Sequence, residues 1–144
     1  MSLGLFARRM AVVSSRMGTE LAKAMQDVTI AVDQAVVLGT PVDTGRARSN
    51  WIVSRGSATS KKIAPYAPGS KLGLGESGNL QGALDQAKGE VAAYKLSDGD
   101  IYISNNVHYI GLLDGGSSAQ APLGITEIGV AAGVSAVNNA RIIK

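Results

Sequence analysis

Residues 40–51 read TPVDTGRARSNW, and within them a long helical pattern ends and the first strand pattern begins. Pro41 lacks an N–H and cannot continue a helix. Asp43, Thr44 and Gly45 follow it, and these residue types commonly form turns. We therefore predict that this stretch, here called the hinge, is the turn around which the rest of the chain is arranged.

Before the hinge, apolar residues recur at spacings of three and four from about Leu5 to Leu38, which is typical of one helical face. This stripe consists of Phe6, Met10, Val13, Met17, Leu21, Ala24, Val28, Val32 and Ala35. Such a helix would be roughly 50 Å long, too long for the rest of the chain to cover. We favour a core helix, kinked or split near Gly18 because glycine weakens helix interiors. The alternative is that one end projects and packs on neighbouring subunits.

After the hinge, the residues Trp51-Ile52-Val53 have high β-propensity. The tryptophan, the only one in the chain, is expected to anchor the long helix against a sheet. Residues 101–105 read Ile-Tyr-Ile-Ser-Asn, the pattern of a half-buried strand. We expect the two strands to pair.

Two further helices are predicted, one with Asn79 as its N-cap and an end near residues 94–96, the other opening with Pro122. The predicted fold class is α+β. A long N-terminal helix packs on a small antiparallel β-sheet, with one or two further helices and a long flexible basic loop. Residues 1–144 are expected to form a single domain.

The composition excludes several chemistries. The chain has no cysteine, which excludes disulfides, thiolate catalysis and cysteine-based metal sites. No apolar run approaches the ~20 residues that span a bilayer, so we expect a soluble protein without a membrane partner. Only 4% of the residues are aromatic, yet 45% are hydrophobic and the mean hydropathy is +0.12. These values suggest that part of the apolar surface is covered by other copies.

Residues 54–79 are dense in Gly, Ser, Pro and Lys and have no sustained period, which predicts a long mobile loop. A loop of this length in a small domain is usually functional or disordered. Its basic residues are Arg55, Lys61, Lys62 and Lys71, and it has one acidic residue. The net charge of the loop is therefore +3, equal to that of the entire chain. We expect these four residues to contact DNA or a neighbouring protein, or to form a solvated surface.

Two catalytic patterns are weighed and set aside. Residues 73–78, Gly-Leu-Gly-Glu-Ser-Gly, match the dinucleotide-binding pattern G-x-G-x-x-G, but no buried strand is predicted before them. Ser104, His108 and Asp114 supply the residue types of a hydrolytic triad without a nucleophile elbow. One histidine with scattered carboxylates gives no metal-ligand cluster, so His108 is expected to pack or form a hydrogen bond. We predict no enzymatic activity, no metal and no cofactor.

Two blocks resemble the bacteriophage neck and tail-completion family, small proteins that join the head connector to the tail tube. The first is Pro-Val-Asp-Thr-Gly followed by Arg48, Ser49 and an aromatic residue, with key positions Pro41, Asp43, Thr44, Gly45, Arg48 and Trp51. The second is a strand ending in Asn, then an aromatic residue, an acid before Gly, and a Pro opening the last helix. Its positions are held by Asn106, Tyr109, Leu113, Asp114, Gly116 and Pro122. Arg48 is expected to pair with Asp43 or Asp114.

The resemblance implies a structural virion protein that is assembled in the host cytoplasm and located in the neck or tail. Copies would form a hexameric or dodecameric ring around the DNA channel. The neighbours would be the portal, adaptor or head-completion protein on one side and the tail tube or terminator protein on the other. Its place as adaptor, stopper, tail-completion or terminator protein stays open. A nucleic-acid-binding accessory protein and a small hydrolase are the alternatives.

Overall fold

The protein has the α+β fold that the sequence predicts. The computed structural model describes residues 2–42, 44–69, 75–116, 119 and 124–140. In chain order the elements are helix α1 (Leu3–Gly39), helix α2 (Arg46–Ser49), strand β1 (Ile52–Arg55), helix α3 (Glu76–Ala92), a 3₁₀ turn (Leu96–Asp98), strand β2 (Ile101–Ser104), helix α4 (Ile110–Asp114) and helix α5 (Ile125–Asn139). The short helices α2 and α4 and the 3₁₀ turn were not predicted.

Helix α1 is one continuous helix of 37 residues, so the predicted split near Gly18 is wrong. Its N-terminus is capped by Ser2, whose side chain accepts a hydrogen bond of 3.2 Å from the Leu5 N–H. Its C-terminus is followed by extended Thr40 and then by Pro41, as predicted. At ~1.5 Å per residue the helix is roughly 55 Å long.

The side of α1 that faces the core is broader than the predicted stripe and lies in the C-terminal half of the helix. The buried residues there are Thr29, Asp33, Val36 and Val37. The stripe residues Val28 and Val32 are partly buried and lie against Gly133 and Gly129 of α5, so the stripe is a core face in this part. From Phe6 to Leu21 the stripe residues are exposed, and there the interpretation as a core face is wrong.

Strands β1 and β2 form a two-stranded antiparallel sheet in which Ile52 lies opposite Ser104 and Arg55 opposite Ile101. Helix α3 is fixed to this sheet by the side chain of Gln86. Its amide oxygen accepts a 2.9 Å hydrogen bond from the Val53 N–H, and its amide nitrogen donates one of 2.8 Å to the Val53 carbonyl. The glutamine thus makes the two hydrogen bonds to Val53 that the backbone of a third strand could otherwise make.

The core lies between the C-terminal half of α1, the sheet, α3 and α5. Two clusters of buried side chains form it, one comprising Val36, Val37, Trp51, Ala83 and Ile125, the other Val53, Ala87 and Val91. Burying a Val or Ile side chain contributes about 1.5–3 kcal/mol. Small residues on α3 let the helix approach the sheet closely.

Helix α5 packs against α1 through two glycines. A Cβ on Gly129 would collide with the side chain of Val36, and a Cβ on Gly133 would lie 2.8 Å from the side chain of Val32. Both glycines are buried. Glycines that weaken the helix in isolation therefore allow close packing of α5 on α1.

Candidate assembly surface and the hinge that positions it

At the hinge, Gly45 has a left-handed backbone conformation with φ of 79°. A side chain there would be strained, and its Cβ would also collide with the amide group of Asn79. Glycine is therefore required on two independent grounds. Thr44 is exposed. Asp43 lies outside the described residues, and its part in the turn stays a prediction.

Arg48 joins the end of α1 to the start of α3. It is only 4% exposed. Its Nη2 donates hydrogen bonds to the Thr40 carbonyl at 2.9 Å and to the Leu38 carbonyl at 3.4 Å. Its Nη1 forms a 3.0 Å ion pair with Glu76. The guanidinium thus satisfies carbonyls that lack partners at the end of a helix. Of the two predicted partners, Asp114 is wrong, and Asp43 lies outside the described residues.

Trp51 confirms its predicted role as an anchor. Its ring lies in the core cluster with Val37 and Ile125. Its Nε1 donates a 2.7 Å hydrogen bond to the Thr40 hydroxyl, and that hydroxyl donates one of 2.6 Å to the Val36 carbonyl. A buried tryptophan needs such a partner for its N–H. The relay fixes the first residue of the hinge to the last turn of α1.

Asn79 is not the N-cap of α3, because the helix begins at Glu76 with Gly75 as the capping residue. Asn79 is fully buried in the first turn. Its Oδ1 accepts hydrogen bonds of 2.8 Å from the Ser49 hydroxyl and the Ala67 N–H. Its Nδ2 donates one of 2.8 Å to the Ala67 carbonyl. The asparagine therefore ties the loop after β1 to the hinge.

Further side-chain amides hold the described part of this loop. Asn50 exchanges two hydrogen bonds of 2.8 and 2.9 Å with the backbone of Ile63. Asn106 donates bonds of 2.8 and 3.2 Å to the carbonyls of Thr59 and Lys61. The mobility of the loop stays a prediction, but these bonds oppose it.

The second block has structural roles of its own. Asp114 caps α5, because its Oδ1 accepts a 2.8 Å hydrogen bond from the Thr126 N–H. Gly116 has φ of 82°, a conformation that favours glycine. Tyr109 lies edge-on to His108 with ring centroids 5.0 Å apart, which agrees with a packing role for the histidine. Pro122 lies outside the described residues.

The fold brings the two blocks together. Asn105, at the start of the second block, donates a 2.8 Å hydrogen bond to the Ala47 carbonyl in the hinge. Leu113 and Ile110 pack against the core cluster that contains Trp51. Two stretches about 60 residues apart in the chain therefore form one structural unit.

The basic residues do not act as one group. Arg55 lies in β1 and forms ion pairs with Glu90 at 3.0 Å and Asp98 at 2.9 Å. Its charge is already compensated, so the prediction that it contacts DNA or a neighbour loses its basis. Lys61 and Lys62 are exposed. Lys71 lies outside the described residues.

The catalytic patterns find no support in the described part of the chain. No hydrogen bond joins Ser104, His108 and Asp114 to one another there. Gly75 and Gly78 pack on Ala67 and follow no described strand, unlike the glycines of a dinucleotide site. Within the same ranges, no three His, Asp or Glu residues are placed to hold a metal ion. Nor does any described helix combine the length and apolarity needed to cross a membrane.

A long exposed apolar surface runs along the N-terminal half of α1, from Leu3 to Leu21, here called the arm. Its large apolar side chains are 39–87% exposed: Leu3, Leu5, Phe6, Met10, Val12, Val13, Met17 and Leu21. About 100° around the helix from Met17, a Cβ added to Gly18 would lie 3.9 Å from the side chain of Leu96. The arm thus touches the body along one side only. The alternative prediction of a projecting end agrees with this exposure.

The chain exposes more surface than a monomer of its size. Its accessible surface is 8729 Å². Folded monomers of 14.7 kDa expose about 6,900 Å², which leaves an excess of roughly 1,800 Å². A standard protein interface buries about 800 Å² on each partner. The excess is therefore large enough for contacts with two neighbours.

Asp33 is a buried carboxyl that the sequence analysis did not single out. It is 0% exposed, and neither carboxyl oxygen has a hydrogen-bond partner. Burial raises the pKa of Asp33 to about 7. The pKa of Tyr66 is raised by its own burial and further by the charge of Asp33.

Comparison of the chain with protein-family models, curated proteins and solved structures finds no match. The functional assignment therefore depends on the residues and surfaces described above.

Proposed function

We propose that the protein is a structural component of a bacteriophage neck or tail. In this proposal its copies form a ring around the DNA channel and join portal-side proteins to the tail. The ring is located in the virion after assembly in the host cytoplasm. It has no catalytic turnover and needs no cofactor.

The observation that carries the proposal is the exposed apolar arm. A soluble monomer rarely exposes a long continuous apolar face, whereas a subunit of an assembly covers such a face with its neighbours. The excess surface of roughly 1,800 Å² supports the same conclusion, since it matches two contacts of standard size. A subunit in a ring makes two such contacts.

The resemblance of the two blocks to the tail-completion family gives the assembly its setting. The blocks lie together in the fold, joined by the hydrogen bond from Asn105 to Ala47. Polar and glycine positions of the blocks have structural roles here, namely the buried Arg48 and the left-handed Gly45. The residues that carry the resemblance therefore build the body from which the arm extends.

The alternatives have less support. A nucleic-acid-binding protein would interleave aromatic residues with cations, but Arg55 is paired and Tyr66 packs against Gly82. A small hydrolase would need Ser104 and His108 to meet, and their described surroundings provide no such contact.

Mass measurement tests the proposal directly. We expect light scattering or native mass spectrometry of the purified protein to give a closed oligomer, and peptide mapping of purified virions to detect the chain in stoichiometric amounts. A protein that is absent from purified virions would contradict the proposed function, whatever its oligomeric state.

A further inference from the structure

Helix α5 runs antiparallel to α1 along the apolar stripe. A Cβ added to Gly129 would meet the side chains of Val36 and Val32. One turn later in α5, a Cβ added to Gly133 would meet those of Val32 and Val28, four residues earlier in α1. Each step toward the end of α5 is therefore matched by an equal step toward the N-terminus of α1.

The end of α5 lies beside the end of the arm that is nearest the body. Ala136 and Ala140 follow Gly133 at i+3 and i+7, on the same side of α5, and both are half-buried. Because the two helices have the same rise per residue, Ala140 lies at the level of roughly residue 23 of α1. Leu21 is close to that level, and at 39% it is the least exposed of the large apolar side chains of the arm.

The exposed face of the arm continues the face that α5 covers. Leu21 precedes Val28 by seven residues and Met17 precedes Leu21 by four, so the three lie within about 40° on one side of α1. Val28 packs on α5, whereas Met17 is 51% exposed. One continuous apolar face thus loses its cover where α5 ends.

The sequence after α5 has the length and composition to extend this cover. Ala140 has φ of −73° and ψ of 122°, an extended conformation in which the chain leaves the helix. Residues 141–144 read Arg-Ile-Ile-Lys and lie outside the described residues. Four extended residues span about 13 Å, which equals about nine residues of α1. This is enough to pass Leu21 and Met17.

We propose that residues 141–144 lie along the stripe and cover Leu21 and Met17 of their own chain. Successive side chains of an extended segment point to opposite sides, so in either register one of Ile142 and Ile143 faces α1. The apolar contact carries the proposal, since it removes isoleucine and methionine surface from water.

Charge agrees with this placement without determining it. Glu20 lies about 60° around α1 from Met17, at the side of the apolar face. Arg141 and Lys144 flank the two isoleucines and are within reach of it. An exposed ion pair contributes little to stability, so it serves only to orient the segment.

The inference goes beyond the proposed function, because it concerns a contact within one chain. If residues 141–144 cover the end of the arm nearest the body, the face that remains for another copy is the part from Leu3 to Val13. The contact exists whether or not the copies form a ring.

Thiol labelling tests the cover, because the chain has no cysteine of its own. In Met17→Cys, the further substitutions Ile142→Ser and Ile143→Ser should speed modification by a thiol reagent at least about fivefold, since they remove the apolar contact. Met10→Cys is the matched control. Met10 is 50% exposed on the same side of α1, about 10 Å further along the helix and beyond the reach of the segment. Its rate should not change.

Equal labelling of Met17→Cys with and without the two isoleucines would overturn the inference. Labelling at a series of protein concentrations separates it from the proposed function, because cover by the same chain does not depend on concentration. Protection of Met17→Cys that appears only as the concentration rises would show cover by another copy. That result would overturn the inference and leave the proposed ring in place. Absence of the protein from virions would contradict the proposed function and leave the protection unchanged.

Disulfide formation locates the segment on one side of α1. We expect an intrachain disulfide when Met17→Cys is combined with Ile142→Cys or with Ile143→Cys. Ser15→Cys in place of Met17→Cys is the control, since Ser15 is exposed at nearly the same level but about 160° around the helix. Cross-linking of Ser15→Cys as extensive as that of Met17→Cys, or none in either, would overturn the inference.

Discussion

Buried polar side chains determine the geometry of the hinge. Arg48, Asn79 and Thr40 each satisfy backbone or side-chain groups that would otherwise be unpaired in the interior. A net hydrogen bond contributes only about 0.5–1.5 kcal/mol, but leaving a buried group unpaired costs about 1–3 kcal/mol. These residues therefore act mainly by excluding other arrangements of the chain.

Gly45→Ala should destabilise the protein by at least about 2 kcal/mol, because the left-handed conformation is strained for alanine and the new Cβ meets Asn79. Gly89→Ala is the matched control, since Gly89 lies inside α3 with open space around it. That substitution should stabilise by about 0.5–1 kcal/mol. Urea unfolding measures both, and equal effects of the two substitutions would show that the hinge does not require glycine.

Asp33 should make the protein less stable as the pH rises. The pKa of its carboxyl is about 7 in the folded state against an ordinary 3.8, so between these values the folded chain binds the extra proton. Stability should fall from about pH 4 to pH 7, by up to about 4 kcal/mol. Asp33→Asn should remove most of this dependence and stabilise the protein at neutral pH.

Urea unfolding at a series of pH values measures the dependence on Asp33. The control is Asp27→Asn, because Asp27 is exposed on the same helix. It should leave the dependence intact. If the free energy of unfolding of Asp33→Asn falls with pH as steeply as that of the unsubstituted protein, the Asp33 carboxyl is solvated or paired in solution.

At the scale of elements, the polar loop after β1 is attached to the body by side chains and not by apolar packing. Asn79 binds Ala67, Asn50 binds Ile63, and Asn106 binds Thr59. Three asparagines from three parts of the chain thus hold one segment. The loop is therefore ordered only when α3 and the second block are in place.

Asn79→Ala should release the loop. The Ala67 N–H and the Ser49 hydroxyl both lose an acceptor, so hydrogen exchange at Ala67 should become at least about tenfold faster. The control is Gln81→Ala, since Gln81 is exposed on the same helix and bonds only to Asp85. Exchange of Ala67 that is equally slow in both variants would contradict the attachment.

The elements could largely be predicted from the sequence, whereas their relative rotation could not. The periods of α1 and β2 and the helix stop at Pro41 are local signals, and the structure confirms them. The extent of the core face of α1 was misjudged. Val28 and Val32 of the predicted stripe pack on α5, but Phe6 of the same stripe is exposed, and Asp33, which lies off the stripe, is buried. Hydrophobicity alone does not distinguish a face that meets the core from one left open for a neighbour.

The partners of polar residues were equally beyond local reasoning. Asn79 has the residue type of an N-cap, but the helix is capped by the left-handed Gly75 four residues earlier, whose carbonyl accepts a hydrogen bond from the Asn79 N–H. The spacing of 28 residues between Arg48 and Glu76 carries no local signal. Such contacts depend on how α3 folds back on the hinge.

For the whole molecule, the exposed lysines Lys61 and Lys62 offer the remaining test of contact with DNA. If the loop faces the channel, Lys61→Ser with Lys62→Ser should reduce the salt dependence of non-specific DNA binding. The slope of log K against log salt should fall by about 1.8, since each lost phosphate contact removes about 0.9. Lys88→Ser is the control, because Lys88 is exposed on α3.

DNA binding should be measured by titration at several salt concentrations. An unchanged slope in the double variant would mean that the two lysines face solvent or protein and not DNA. Normal infectivity of virus that carries the double variant together with Lys71→Ser would mean that the loop is a solvated surface.

The continuity of α1 fixes the rotational phase between the arm and the body. One residue inserted between Leu21 and Val28 turns the arm by about 100° relative to the core, whereas seven residues turn it through nearly two full rotations, short by only about 20°. Length changes of seven or eleven residues should therefore be tolerated, because each returns the arm to within about 20° of its orientation, whereas a change of one residue should not. Any natural variation in the reach of the arm would have to be counted in whole helical turns.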